Sequence, residues 1–121
     1  MISNDALLEK FVNLSELLAR VEHDRELLAE LLVMFQEELP DLQGALHDAI
    51  LVGDLAETAK AAHALKGMFA NLSMRRGALL AATIDAAAQA RDMPTIRETL
   101  GVFDSEIAAL SAAVDAFIAG K

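Results

Sequence analysis

Apolar residues recur along this chain at alternating spacings of three and four. Leu28, Leu32, Phe35, Leu39, Leu42, Leu46 and Ala49 form one series, and Ile96, Leu100, Phe103, Ile107, Leu110, Val114 and Phe117 form another. A helix turns about 100° per residue, so each series lies along one face of a long amphipathic helix. Between them, Leu55, Ala59, Ala62, Leu65, Phe69 and Leu72 make a third stripe, and Leu80, Ile84 and Ala87 a fourth. Capping chemistry suggests the boundaries. Asp54, followed three residues later by Glu57, has the pattern of a capping box. Ser73 is placed to cap the next helix, and Pro94 falls in the first turn of the last. Pro40 interrupts no stripe, since Leu39 and Leu42 stay in register around it, so a kinked but unbroken helix is expected.

The predicted bundle helices are 24–52, 54–71, 74–91 and 94–119, after shorter pieces at 5–12 and 14–21 in an N-terminal segment 5–21. Short connections between long helices make neighbours antiparallel. The expected fold is all-α: an up-and-down antiparallel four-helix bundle with an additional short N-terminal helix, one domain over residues 1–121. Phe35, Phe69 and Phe103 are 34 residues apart, the period of a tetratricopeptide array, but their flanking residues do not repeat. Helices of similar length produce the same spacing.

Composition narrows the class. About a fifth of the residues are Ala, and Tyr and Trp are absent, which is helical rather than strand composition. The chain is 55% apolar, enough for a core. No apolar run approaches the roughly 20 residues of a membrane span. Ten basic against nineteen acidic residues leave a net charge of −9, which argues against nucleic acid and anionic membranes as partners. The first residues do not read as a secretory signal. There is no Cys, so disulfides, thiolate metal sites and thiol catalysis are excluded. A cytoplasmic, monomeric protein is expected, and Met1 with a complete N-terminal helix favours a free-standing one.

The candidate chemistry lies around His63. On the third stripe's helix it falls roughly 120° from the apolar centre, so it flanks the core and reaches solvent. Lys60 and Lys66 stand three residues to either side, and Gly67 one turn further on. A Gly inside a helix costs about 1 kcal/mol against Ala. Its useful property here is bareness beside the imidazole. A neutral imidazole is a good nucleophile near neutral pH, and two nearby ammonium groups could hold an anion. That combination suits a nucleophile that takes up phosphate as a phosphoramidate. His23 and His47 lack such a setting and read as ordinary surface residues. Arg75-Arg76 reads as a solvated first turn.

The segment Ala62-His63-Ala64-Leu65-Lys66-Gly67-Met68-Phe69-Ala70-Asn71-Leu72-Ser73, followed by Ile84-Asp85, resembles the histidine phosphotransfer (HPt) domain family of bacterial phosphorelays. The resemblance extends over roughly residues 14–100 and includes Leu27-Leu28, Phe35, Pro40 and Gly53-Asp54. It implies that His63 is phosphorylated through Nε2, that Lys66 favours the phosphoryl charge, and that Gly67 gives a partner clearance. Asp85 stands where the family often has Glu or Gln bonded to the other ring nitrogen. Being one methylene shorter, it is expected to reach poorly, with Gln89 one turn on as the substitute. Ser73-Met74 replaces the usual Gly-Ala, which a cap at Ser73 makes tolerable. Gly77 replaces a common Leu, which is expected to weaken packing. Phe69 is expected in the core and Met68 nearer the surface.

The resemblance implies a phosphocarrier rather than a kinase, and no Gly-rich phosphate loop for ATP is visible. Its partners would be receiver domains of response regulators or hybrid histidine kinases, docking on an apolar patch around His63, Ala64, Met68 and the adjoining helix. No cofactor is expected on this chain, and Mg²⁺ would reside in the receiver. The competing reading is a helical adaptor or coiled-coil module whose His63 is incidental, which the stripes support equally well.

Overall fold

The structure, a computed structural model, describes residues 2–120; Met1, which bore on whether the chain is free-standing, lies outside the described residues. Among the described residues six helices follow one another: α1 (Asn4–Leu8), α2 (Leu14–Arg20), α3 (Arg25–Leu51), α4 (Leu55–Asn71), α5 (Arg75–Gln89) and α6 (Met93–Ala119). The last four form the expected bundle: each packs on the next, and α6 closes back on α3. α3 runs through Pro40 as one helix, and Pro94 sits at the start of α6. The N-terminal segment is two short helices, with α1 against α6 and α2 against α3. The first ends sooner than the expected 5–12, because Phe11 and Val12 both bond back to the Leu8 carbonyl in a turn and Asn13 caps α2.

The predicted stripes face the core. Leu28, Leu32, Phe35, Leu65, Phe69, Ile84, Ile96 and Phe103 are buried, while Leu42, Leu55, Ala59, Leu80 and Leu100 are only half-buried at its margin. The three phenylalanines 34 residues apart meet in one layer. Phe69 lies 5.8 Å from Phe35 and 5.8 Å from Phe103, centroid to centroid, with the rings tilted or edge-on. Those are favourable aromatic geometries, and the spacing records helix length rather than a repeat. Gly77 does not weaken this layer, contrary to expectation. It is buried against the Phe69 ring and leaves the room that Phe69 fills.

The connections share one device. After α3, Gly53 takes φ +74°, its N–H bonds Ile50 O, and the Asp54 N–H bonds Ala49 O. This is a Schellman ending, and its last residue is also the N-cap of α4. The same pattern ends α4 at Ser73 and α5 at Arg91, with Met74 and Asp92 as the following N-caps. α2 ends likewise at Glu22, followed by His23, which also lies in this turn at positive φ.

Two capping expectations are corrected by this device. The Asp54 side chain does accept from the Glu57 N–H, but its own N–H is already bonded to Ala49, so the reciprocal half of the capping box is not made. Ser73 is not the N-cap of α5; Met74 is, with no side-chain bond. Ser73 is instead the left-handed residue ending α4, at φ +56°. Its hydroxyl donates to Glu16 Oε1 at 2.7 Å.

Glu16 thereby ties α2 to the α4–α5 turn. It also receives Arg75 at 2.7 Å and Arg20 at 3.0 Å. Arg20 reaches on to the Asn71 carbonyl at 2.8 Å, covering an orphan acceptor at the end of α4. The Ser73 hydroxyl, then Arg75, hold the Glu16 carboxyl below its ordinary range. Arg75 and Arg76 are thus paired rather than merely solvated, Arg76 with Glu106 at 2.9 Å. His47 is likewise engaged, its Nε2 lying 2.9 Å from Asp104 Oδ1 between α3 and α6.

Candidate functional site

α4, capped by Asp54, exposes the side that carries His63. The His63 side chain is 74% exposed, while Ala62 and Leu65 beside it are fully buried. The ring therefore stands on the bundle surface, held by a helix whose other face is locked in the core. That is a rigid mount for the imidazole.

Each flank of the ring is different. On the α5 side, Asp85 Oδ2 lies 3.6 Å from His63 Nδ1, with the Asp85 side chain only 19% exposed. The separation is that of an ion pair, longer than a hydrogen bond. The shorter carboxylate thus faces the expected ring nitrogen without closing on it. Gln89 does not substitute for it at the ring: its amide donates to Asp85 Oδ1 at 3.3 Å. Asp85 is therefore half-buried and gripped, rather than loose in solvent.

On the α3 side lies a groove of about 520 Å³. From α4 it is lined by His63, Ala64, Gly67, Met68, Asn71 and Leu72. From α3 it is lined by Leu31, Met34, Phe35, Glu38 and Leu42. The expected patch around His63, Ala64 and Met68 therefore exists as a groove. The α3 contributors were not identified by residue from the sequence. Met34 offered a signal, as a large apolar residue just off the stripe, and it is 53% exposed.

Gly67 opens onto this groove, and a Cβ built on it would meet nothing within 4 Å. Its bareness is thus not demanded by packing inside the chain. Lys60 and Lys66 are exposed on α4, outside the groove lining, and form no ion pair among the described residues. Phe69 is buried and Met68 half-buried, as expected. With Nδ1 turned to a carboxylate, the ring's other nitrogen, Nε2, is left for an incoming electrophile. The lysines supply positive charge nearby, and the groove supplies apolar surface on which a second protein could seat.

Among the described residues, no helix is long and apolar enough to cross a membrane. A family model described as "Hpt domain" matches residues 30–113. No curated protein and no solved structure matches.

Proposed function

Because the chain belongs to the Hpt domain family, whose members act in phosphorelays by interaction with receiver domains, we propose that His63 accepts a phosphoryl group from a receiver-domain aspartate and relays it to the aspartate of another receiver. The observation that carries this reading is the exposed His63 ring with Asp85 facing Nδ1 and a bare Gly67 at the groove edge. Neutral His63 with its proton on Nδ1 directs the Nε2 lone pair at phosphorus. The Nε2–P bond forms as the P–O bond to the receiver aspartate breaks, and that aspartate leaves as a carboxylate. The ring keeps its Nδ1 proton and becomes cationic, a charge that Asp85 faces. Transfer onward runs the same exchange in reverse. Lys60 and Lys66 draw in the phosphoryl oxygens.

The receiver docks along the groove between α3 and α4, over Ala64, Gly67 and Met68. Small apolar contacts suit a transient encounter. Mg²⁺ comes with the receiver, and the chain works as a monomeric carrier in the cytoplasm rather than as a kinase.

The deciding experiment is transfer from a labelled phospho-receiver, with Mg²⁺, to the wild type and to His63→Gln. Acid-labile, alkali-stable label on the wild type alone is expected. Equal labelling of both proteins would remove His63 from the role. No label from any receiver of the same cell would favour the adaptor reading.

A further inference from the structure

Asp85 is too short to bond His63 by itself, yet it is not free. Its two oxygens divide the work: Oδ1 takes the Gln89 amide at 3.3 Å, and Oδ2 faces His63 Nδ1 at 3.6 Å. Gln89 lies one turn after Asp85 on α5, so its side chain can reach the carboxylate along the helix surface. Gln89 is exposed and lines no part of the α3–α4 groove. Its amide is bonded to the carboxylate and not to the ring, and it lies outside the surface assigned to the partner.

We propose that Gln89 is a positioning residue for His63, acting through Asp85. The amide holds Oδ1 and so fixes the rotation of the carboxylate, keeping Oδ2 turned towards Nδ1. A carboxylate there favours the tautomer with the proton on Nδ1, which leaves Nε2 unprotonated for attack. When the ring gains positive charge on phosphorylation, a short further approach of Oδ2 turns the ion pair into a charged hydrogen bond. A shorter acid steadied by the Gln89 amide thus does on this chain what one longer acid could do alone. The inference rests on the phosphoryl-transfer reading for its purpose, but not for its geometry.

The test uses the full chain with ¹⁵N-labelled histidine. Imidazole nitrogen shifts of His63 give the tautomer population in wild type, Gln89→Ala, Asp85→Glu and the double variant. Gln89→Ala is expected to move the population towards the Nε2-protonated tautomer. With a phospho-receiver it is expected to lower the limiting transfer rate about 3- to 10-fold, the factor one such hydrogen bond is worth, with the half-saturating receiver concentration unchanged. Asp85→Glu restores reach, so adding Gln89→Ala to it should change neither readout. An unchanged tautomer population in Gln89→Ala overturns the proposal, as does an equal effect of that substitution in the Asp85→Glu background. Failure of the wild type to accept label would count against the transfer reading instead, and the tautomer measurement would still decide the role of Gln89.

Discussion

A Cβ placed on Gly77 would lie 3.1 Å from the ring of Phe69. Phe35 and Phe103 both pack on that ring, each 5.8 Å away centroid to centroid, and restrict its retreat. A large residue on α4 and a missing side chain on α5 are therefore one packing solution. Gly77→Ala should destabilise the protein by about 1 kcal/mol, since overpacking of about 1–3 kcal/mol exceeds the helix-propensity gain of about 1. In a Phe69→Leu background the same substitution should stabilise. Urea midpoints of the four proteins close the double-mutant cycle, and additivity would refute the coupling.

Gly67 is the opposite case. Nothing within the chain opposes a Cβ there. Gly67→Ala should raise stability by about 0.5–1 kcal/mol through helix propensity. Gly67→Leu should remain folded but lose at least about tenfold in transfer from a phospho-receiver, because the added side chain stands at the groove edge beside His63. Thermal melts and transfer rates, measured on the same samples, separate the two effects. Full transfer activity in the Leu variant would show that the partner does not use this side of α4.

Ser73 has a backbone that favours glycine and a hydroxyl with work to do. Ser73→Ala loses the bond to Glu16 and keeps the left-handed strain. Ser73→Gly loses the same bond but relieves strain of about 1 kcal/mol. The Gly variant should therefore be the more stable of the two by about that amount. Chemical denaturation at neutral pH measures the difference, and equal stabilities would contradict the assigned conformation.

The acid limb of stability should depend on Glu16. The Ser73 hydroxyl, then Arg75, hold its carboxyl below the ordinary value of 4.5, against the opposing effect of burial. A lowered folded value contributes stability that is fully present above the ordinary value and is lost as pH falls through the folded one. Asp92, held down by the Thr95 hydroxyl and then its N–H, acts in the same direction. Glu16→Gln should thus be less stable than wild type above about pH 6, with the difference shrinking as acid is added. Unfolding midpoints across that range would show parallel curves if Glu16 were uninvolved.

Much of this arrangement was legible in the sequence, for physical reasons. Helical periodicity is set by core burial, so Leu28 to Ala49 and Ile96 to Phe117 marked their helices before any contact was known. His63, Lys66 and Gly67 are local to one helix, so their placement followed from 100° steps. What escaped depends on contacts distant in the chain. Ser73 reads as an N-cap until Glu16, 57 residues away, is seen to take its hydroxyl. Gly77 reads as a defect until Phe69 is seen to occupy the space. Glu22 and Arg91 at positive φ break the local preference for glycine, which only the surrounding turn reveals. Gln89 reads as a substitute at the ring until its amide is seen to reach the Asp85 carboxylate instead.

The turn at Gly53 and Asp54 sets the angular register of α4 against α3. One residue ends α3 and the next opens α4, so the junction contains no slack. A single inserted residue between Asp54 and His63 would rotate the imidazole by about 100° around its own helix, into the core or across to the far side. The azimuth of the ring is counted from that junction as a dial is counted from its stop. Nine steps from Asp54 to His63 thus fix the direction of the ring relative to the end of α3.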